Sequence, residues 1–312
     1  RQAFSIHPLL VGGNPFKTTA IYSLIHYLER RWGVFFCMGG TGKLVDELAS
    51  LMKRQGVTIQ TNADVDQIIV EKNRAIGVQL ANGKTINSDL VVFGGDPETC
   101  YQQLLPVNKR PKNPIKKHYS MGLYVLYFGT KKLYPKVAHH SIWMGPRFKE
   151  LLHEIFETKA LSKDFSLYLH RPTATDKSFA PDGCESFYVL CPVPNLQGDT
   201  NWDQQGTILR DRIVEALEQS ILPELSSVIE EVFWMTPEDF AKDYRSMHGA
   251  GFSIEPRLTQ SAWFRYHNRD RAIKNLYFVG AGTHPGAGLP GVVSSAKVVE
   301  ELLTSKEVGS GG

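Results

Sequence analysis

Residues 275–297 read NLYFVGAGTHPGAGLPGVVSSAK. Leu276, Tyr277, Phe278 and Val279 make a short apolar run of strand type. Gly280, Gly282, Gly286, Gly288 and Gly291 follow, with Pro285 and Pro290 between them. Val292, Ala296, Val299 and Leu303 then recur at helical spacing, with Lys297, Glu300 and Glu301 on other faces. The pattern is strand, glycine-rich loop, helix. Glycine lets backbone approach a ligand closely and adopt positive φ. A helix start offers unpaired N–H groups and a partial positive charge, which suit an anionic or electron-rich group. The plainer alternative is a tight turn that packs a helix on a sheet. The density of glycine and proline, with a Thr and a His, points to a ligand loop.

At 312 residues the chain is long enough to bury a sizeable core in one large or two ordinary domains. It is 42% hydrophobic and 21% charged, the balance of a soluble globular protein. A net charge of +3 implies no nucleic-acid footprint. Cys37, Cys100, Cys184 and Cys191 form no C-x-x-C, so neither a zinc knuckle nor a redox pair is expected, and a reduced, cytosolic compartment is the default. No apolar run has the length of a membrane span, and no signal peptide is visible.

Residues 1–11 read as a helix broken by 12–15. Thr18 or Thr19 is placed to cap the next helix, whose apolar face is Ile21, Leu24, Ile25 and Leu28. His26 on another face is read as structural. Gly39-Gly40-Thr41-Gly42-Lys43 resembles a phosphate loop only superficially. Position 44 is Leu, and the first glycine of that motif is missing. Leu44, Leu48 and Leu51, with Val45 and Met52, instead define an amphipathic helix ended by Gly56. Strands are expected at 57–60, 65–70, 75–80, 84–88 and 90–93, with a hairpin at Asn82-Gly83. Asp96 before Pro97 is either a helix cap or part of a functional loop. The basic, proline-broken stretch 108–118 is either a solvated linker or a patch for anionic headgroups. Beyond it, 123–128, 165–170, 187–191 and 230–235 suggest a large, mostly antiparallel sheet. A helical stretch is read at 147–156, and an amphipathic helix at 207–222. His139, His140 and His153 have no carboxylate at metal spacing, so no metal site is expected. In 253–270 (SIEPRLTQSAWFRYHNRD), Glu255, Arg257, Gln260, Arg265 and His267 are crowded among Trp263, Phe264 and Tyr266.

The words GAGTHPGAG and LPG at 280–291 closely resemble the carboxyl-terminal flavin-binding motif of bacterial-type phytoene desaturases, the FAD-dependent carotenoid desaturases. The likeness extends through GGNPF at 12–16, MGGTGKL at 38–44, DFSLYLHRP at 164–172 and EPRLTQSAWFRYHNRD at 255–270, and so covers nearly the whole chain. It implies a mixed α/β Rossmann-like flavoprotein fold of the phytoene desaturase/amine oxidase type, with a mainly antiparallel substrate-domain sheet. That family carries a strand–GxGxxG–helix unit at its beginning. None stands near Arg1, so the chain is expected to be the carboxyl-terminal portion of a longer protein. The expected segments are 1–38, facing substrate or membrane; 39–107, flavin scaffold with a β-meander; 108–264, substrate domain; 265–306, FAD motif and helix; and 307–312, a disordered tail.

By the same resemblance, FAD would be held by Val65 through its backbone at the adenine edge, and by Gly280, Ala281, Gly282, Thr283, His284, Gly288, Leu289, Pro290, Gly291 and Val292. The helix start near 291–293 would face the pyrimidine edge of the flavin. Ala281 stands where many flavoproteins carry an acid for the ribityl chain, so Thr283 or backbone groups would substitute. Glu255 and Arg265 are the candidate catalytic residues, placed to stabilise charge developing in the substrate. The implied activity is desaturation of phytoene towards neurosporene or lycopene. A hydride would pass to flavin, because no side chain accepts one at useful potential. Electrons would leave to quinone or oxygen. The implied setting is cytoplasmic, peripherally membrane-associated, with phytoene and other carotenoid intermediates as partners. Alternatives are another carotenoid flavoenzyme (a diapophytoene or ζ-carotene desaturase, an isomerase or a ketolase) and a non-catalytic lipid-binding remnant. A serine hydrolase is a third and poor option, since no GxSxG is present.

Overall fold

The computed structural model describes residues 2–111 and 116–309. The strands are β1 (Val65–Glu71), β2 (Arg74–Leu80), β3 (Thr85–Asn87), β4 (Val91–Phe93), β5 (Gly122–Thr130), β6 (His140–Trp143), β7 (Leu167–His170), β8 (Glu185–Val193), β9 (Ile229–Met235) and β10 (Leu276–Phe278). The helices are α1 (Ile6–Leu10), α2 (Leu24–Trp32), α3 (Gly40–Arg54), α4 (Pro97–Thr99), α5 (Phe148–His153), α6 (Trp202–Glu218), α7 (Leu225–Val228), α8 (Pro237–Asp243) and α9 (Leu289–Gly309). The chain divides into two units, residues 1–28, 61–121 and 240–312 in the first and residues 29–60 and 122–239 in the second. The chain therefore passes between units at 28/29, 60/61, 121/122 and 239/240.

In the first unit β1, β2 and β3 form an antiparallel meander. Lys72 and Asn73 both have positive φ between β1 and β2, the geometry that joins two twisted strands tightly. Asn82-Gly83 turns β2 into β3 as its sequence predicts, with Gly83 at φ +83°. Gly77 is required. A Cβ there would stand 2.2 Å from the Ile86 carbonyl oxygen on β3. A second sheet pairs β4 with β10 in parallel, Val91 opposite Leu276 and Phe93 opposite Phe278. Ile68, Ala75, Val91, Cys100, Leu105, Ile273, Leu276 and Phe278 share one core, so meander and parallel pair are packed as a body.

The second unit is built on a five-stranded antiparallel sheet in the order β6-β7-β8-β5-β9. The four expected strand regions are present, and β6 is an added edge strand. On β8 the burial alternates strictly along Glu185–Val193, so one face packs inward. Leu209, Ile213 and Leu217 of α6 close the core against Tyr124, Leu126, Val189 and Cys191. Asn201 caps α6, its side chain accepting from the Gln204 N–H. The Tyr124 hydroxyl donates to the Gly206 carbonyl at 2.8 Å.

Glu185 is the polar centre of this unit. It is 2% exposed. It accepts from Arg171 at 2.8 Å, Thr173 at 2.6 Å and the Tyr134 N–H at 3.1 Å, while Arg171 also donates to the Tyr134 carbonyl. A buried ion pair is stable only when its remaining atoms are bonded in this way. At the start of α3, the Asp176 carboxylate accepts from the Gly39 N–H at 2.7 Å. A Cβ on Gly40 would meet the Phe179 ring at 2.8 Å. These contacts group α3 with the sheet unit.

Several expectations are corrected. Residues 57–60 have no strand partner and expose Val57 and Ile59, because an extended segment becomes a strand only beside another one. The apolar faces of α2 and α3 are real in pattern but exposed, at Leu24 and Leu28 and at Val45, Leu48, Leu51 and Met52. Asp96 is a helix cap, accepting from the Glu98 N–H. Helix α9 runs to Gly309, so residues 307–309 of the expected disordered tail are helical; 310–312 lie outside the described residues. So do 112–115 of the basic stretch.

Glu185→Ala should destabilise the chain by about 3–5 kcal/mol in urea unfolding, because Arg171 is left buried without its counter-charge. The Ser178 hydroxyl, then the Gly39 and Ser178 N–H groups, hold the Asp176 carboxyl below the usual carboxylate range. Its contribution is therefore complete above the unfolded value of about 4 and is lost as pH falls through the lower folded value. Melting temperature in that window should fall less steeply for Asp176→Asn than for the unmodified chain.

Candidate functional site

The parallel pair β4–β10 ends in two loops that meet. The Val279 N–H donates to the Phe93 carbonyl at 3.0 Å, which carries the pairing one step past the strands. Gly280 then turns at φ +105°, where a Cβ would lie 3.1 Å from the Gly94 carbonyl oxygen. A Cβ on Gly282 would lie 2.4 Å from Pro97. Only glycine lets these loops close on each other. Crevices at the carboxyl ends of parallel strands are where open α/β sheets hold ligands.

Helix α9 starts at Leu289, and the Val292 N–H bonds back to the Gly288 carbonyl at 2.9 Å. The first-turn N–H groups of such a helix have no intrahelical partner. Gly291 packs so tightly that a Cβ would stand 2.5 Å from the Gly286 oxygen. Gly288 is the opposite case. At φ +95°, a Cβ added to it would meet no atom within 4 Å, so the backbone there is bare to an incoming group. Leu289 and Val293 are 59% and 61% exposed and form an apolar lip beside it. The His284 Nδ1 is shut from solvent without a hydrogen-bond partner. A bare glycine, a helix start and an apolar lip fit a flat aromatic group with a polar edge, which is the character of a flavin.

The loop is held from outside by residues that pattern reading only partly finds. The Arg265 guanidinium is 2% exposed. It donates to the carbonyls of Ala281 at 2.9 Å, Ile254 at 3.1 Å, Gln260 at 3.3 Å and Phe252 at 3.2 Å. Burial lowers it to about 10, so it remains a cation at neutral pH. Asn268 is not marked out by the sequence pattern. Its amide donates to the carbonyls of Phe278 at 3.1 Å, His284 at 2.9 Å and Ser295 at 3.4 Å, joining strand, loop and helix. Ser295 is equally inconspicuous. Its hydroxyl oxygen accepts from the Gly280 N–H at 2.8 Å. Ser295 is a polar residue on an otherwise apolar helix stretch, whereas Asn268 is hidden among polar neighbours, His267, Arg269 and Asp270, and carries no local signal.

The other expected site residues fall as follows. Gly280, Ala281, Gly282, Thr283, His284, Gly288, Leu289, Pro290, Gly291 and Val292 make up the loop and the first turn of α9. The Thr283 hydroxyl is fully buried and donates to the Gly280 carbonyl at 2.9 Å, so it holds the loop's own backbone. Val65 opens β1 opposite Leu80, beside a register irregularity. Glu255 is 1% exposed, paired with Arg257 at 2.6 Å and accepting from the Asn14 N–H at 3.4 Å. His267 is bonded to Arg271 at 2.8 Å.

Asn268→Ala should cost about 1–3 kcal/mol, since buried carbonyls lose their donor. The denaturation midpoint should fall with an unchanged slope.

A family model for flavin-containing amine oxidoreductases matches residues 1–299. The chain is 52% identical over 308 residues to a phytoene desaturase (lycopene-forming) of Pseudescherichia vulneris, covering 97% of this chain and 63% of that protein. It is 44% identical to a phytoene desaturase (neurosporene-forming) of Cereibacter sphaeroides, covering 97% of this chain and 60% of that protein. It thus spans less than two thirds of the length of these relatives. Its fold is similar to an oxidoreductase from Methanosarcina mazei, with TM-score 0.61 and 16% identity, over 90% of this chain and 58% of that one. The paired glycine loops, the long helix behind them and the match along almost the entire sequence place this chain in the flavin-containing amine oxidoreductase family.

Proposed function

We propose that this chain supplies the carboxyl-terminal FAD-facing loop and the substrate sheet of a carotenoid desaturase, acting on phytoene towards neurosporene or lycopene. The observation that carries the reading is the bare Gly288 at the start of α9, in a chain so similar along its length to lycopene- and neurosporene-forming phytoene desaturases. FAD, when bound, supplies a two-electron acceptor for the hydride that leaves a saturated C–C unit. The chain's own residues bind and orient. The first-turn N–H groups of α9 favour negative charge at the polar edge of the ring. Leu289 and Val293 exclude water beside Gly288. Val65 is the proposed backbone contact of the adenine end.

Arg265 acts as a positioning residue. Its donors are spent on four carbonyls around the loop, and its retained charge adds a positive field there. Glu255 is proposed to hold the 253–270 segment through Arg257 and Asn14. A peripheral site on a cytoplasmic membrane face, with quinone or oxygen as electron acceptor, suits so apolar a substrate. The exposed Ile21, Leu24 and Leu28 support that placement, and among the described residues no helix is long and apolar enough to cross a membrane.

The test is a flavin titration on a protein extended to the full length of its relatives, followed by phytoene in liposomes. Stoichiometric FAD binding and new conjugated double bonds are expected. Gly288→Ala should weaken FAD by at least tenfold with circular dichroism unchanged, because its Cβ enters the bare space and strains a backbone held at φ +95°. Failure of the extended protein to bind FAD would overturn the reading in favour of a lipid-binding role.

A further inference from the structure

His139, His140 and His170 are scattered in sequence and meet at the edge of the five-stranded sheet. His140 lies opposite His170 in the antiparallel register of β6 and β7. His139 enters β6 just before it, fixed by its carbonyl, which accepts from the Arg171 N–H at 2.8 Å. One ligand-type atom from each histidine lies within 4.8 Å of the other two. His170 is buried, His139 partly so, and His140 exposed, so the cluster has a dry floor and a wet mouth.

The nitrogens have distinct surroundings. The Nδ1 of His139 bonds the Thr175 hydroxyl at 2.5 Å, which leaves Nε2 as its free corner. That Nε2 is shut from solvent and has no hydrogen-bond partner. The Nδ1 atoms of His140 and His170 face each other at 3.5 Å, with the Tyr168 hydroxyl 2.7 Å from the first and 3.2 Å from the second. Two nitrogens on one tetrahedral zinc stand about 3.3 Å apart, given a zinc–nitrogen distance of 2.0–2.1 Å. The observed separation is close to that edge. Tyr188 stacks on His170 at 4.6 Å and Phe36 packs edge-on to His139 at 4.7 Å, which fixes two of the rings. The nearby cation Arg171 is paired with Glu185.

We propose that His139, His140 and His170 form a three-imidazole site for a borderline divalent transition ion of the zinc class, with water as the fourth ligand. Three protein nitrogens and an open position are a known tetrahedral arrangement for zinc. The all-nitrogen donor set disfavours Ca²⁺ and Mg²⁺, which take oxygen. The unpartnered Nε2 of His139 gains a partner, and the ion clasps edge strand β6 to β7. This is independent of the flavin reading, since every residue belongs to the sheet unit. The expectation of no metal site rests on the absence of a carboxylate near His139 and His140; the third ligand is a histidine, supplied by strand pairing.

The test is calorimetric titration of zinc chloride into the untagged chain after chelator treatment, with cobalt absorption as a second readout. One equivalent per chain at micromolar affinity is expected, with a tetrahedral cobalt spectrum and no response to Ca²⁺ or Mg²⁺. His140→Ala, at an exposed position, should weaken zinc at least tenfold while leaving circular dichroism unchanged. His139→Ala should do the same. Absence of zinc binding at micromolar concentration would overturn the proposal and leave the cluster as a proton-sharing Tyr168–histidine group. Equal binding by His140→Ala would overturn it as well, by placing the ion elsewhere.

Discussion

The parallel pairing of β4 with β10 is the constraint on which the first unit depends. Three residue pairs, joining chain positions more than 180 apart, bring Gly94 and Gly280 to the same end of the same small sheet. Everything at the site follows from that end. The loops close because glycine stands at 280 and 282, α9 leaves in a fixed direction because Gly291 lies on Gly286, and Gly288 is left bare. Asn268 and Arg265 then convert proximity into rigidity. Each donates to carbonyls from separate segments, and a buried carbonyl without a donor is costly.

The second unit solves a different problem. A sheet with aromatic and aliphatic side chains on one face needs a cover, and α6 provides it with Leu209, Ile213 and Leu217. At its polar centre Glu185 accepts from Arg171, Thr173 and the Tyr134 N–H, which makes a buried charge pair tolerable although the Arg171 Nε stays without a partner. The same sheet sets its edge strand β6 against β7 and so gathers histidines that no spacing rule would unite. Stability and binding potential thus come from one register.

Local order is legible from residue pattern wherever a short-range rule governs it. The Asn82-Gly83 hairpin, the helix at 40–54, the 207–218 part of α6, the four sheet strands and the strand–loop–helix of 276–309 all obey such rules, although α6 begins at Trp202 and ends at Glu218 rather than spanning 207–222. The loop residues from Gly280 to Val292 are legible for the same reason, since glycine spacing is a local property. Asn268 and Ser295 are not. Their importance lies in partners 10 to 27 residues away, which side-chain type alone does not specify. Likewise Arg265 stands out as a charge among aromatics, but its engagement with backbone carbonyls requires the folded chain.

The sequence by itself determined the glycine-rich loop, the membership that its motifs imply, and the alternation that makes a sheet. Tertiary structure alone decided which faces are covered, why 57–60 stays unpaired, and that His170 joins His139 and His140. The physical reason is the range of the interactions. Periodicity and capping act within a few residues, whereas strand pairing and burial are settled between segments that the linear order keeps apart.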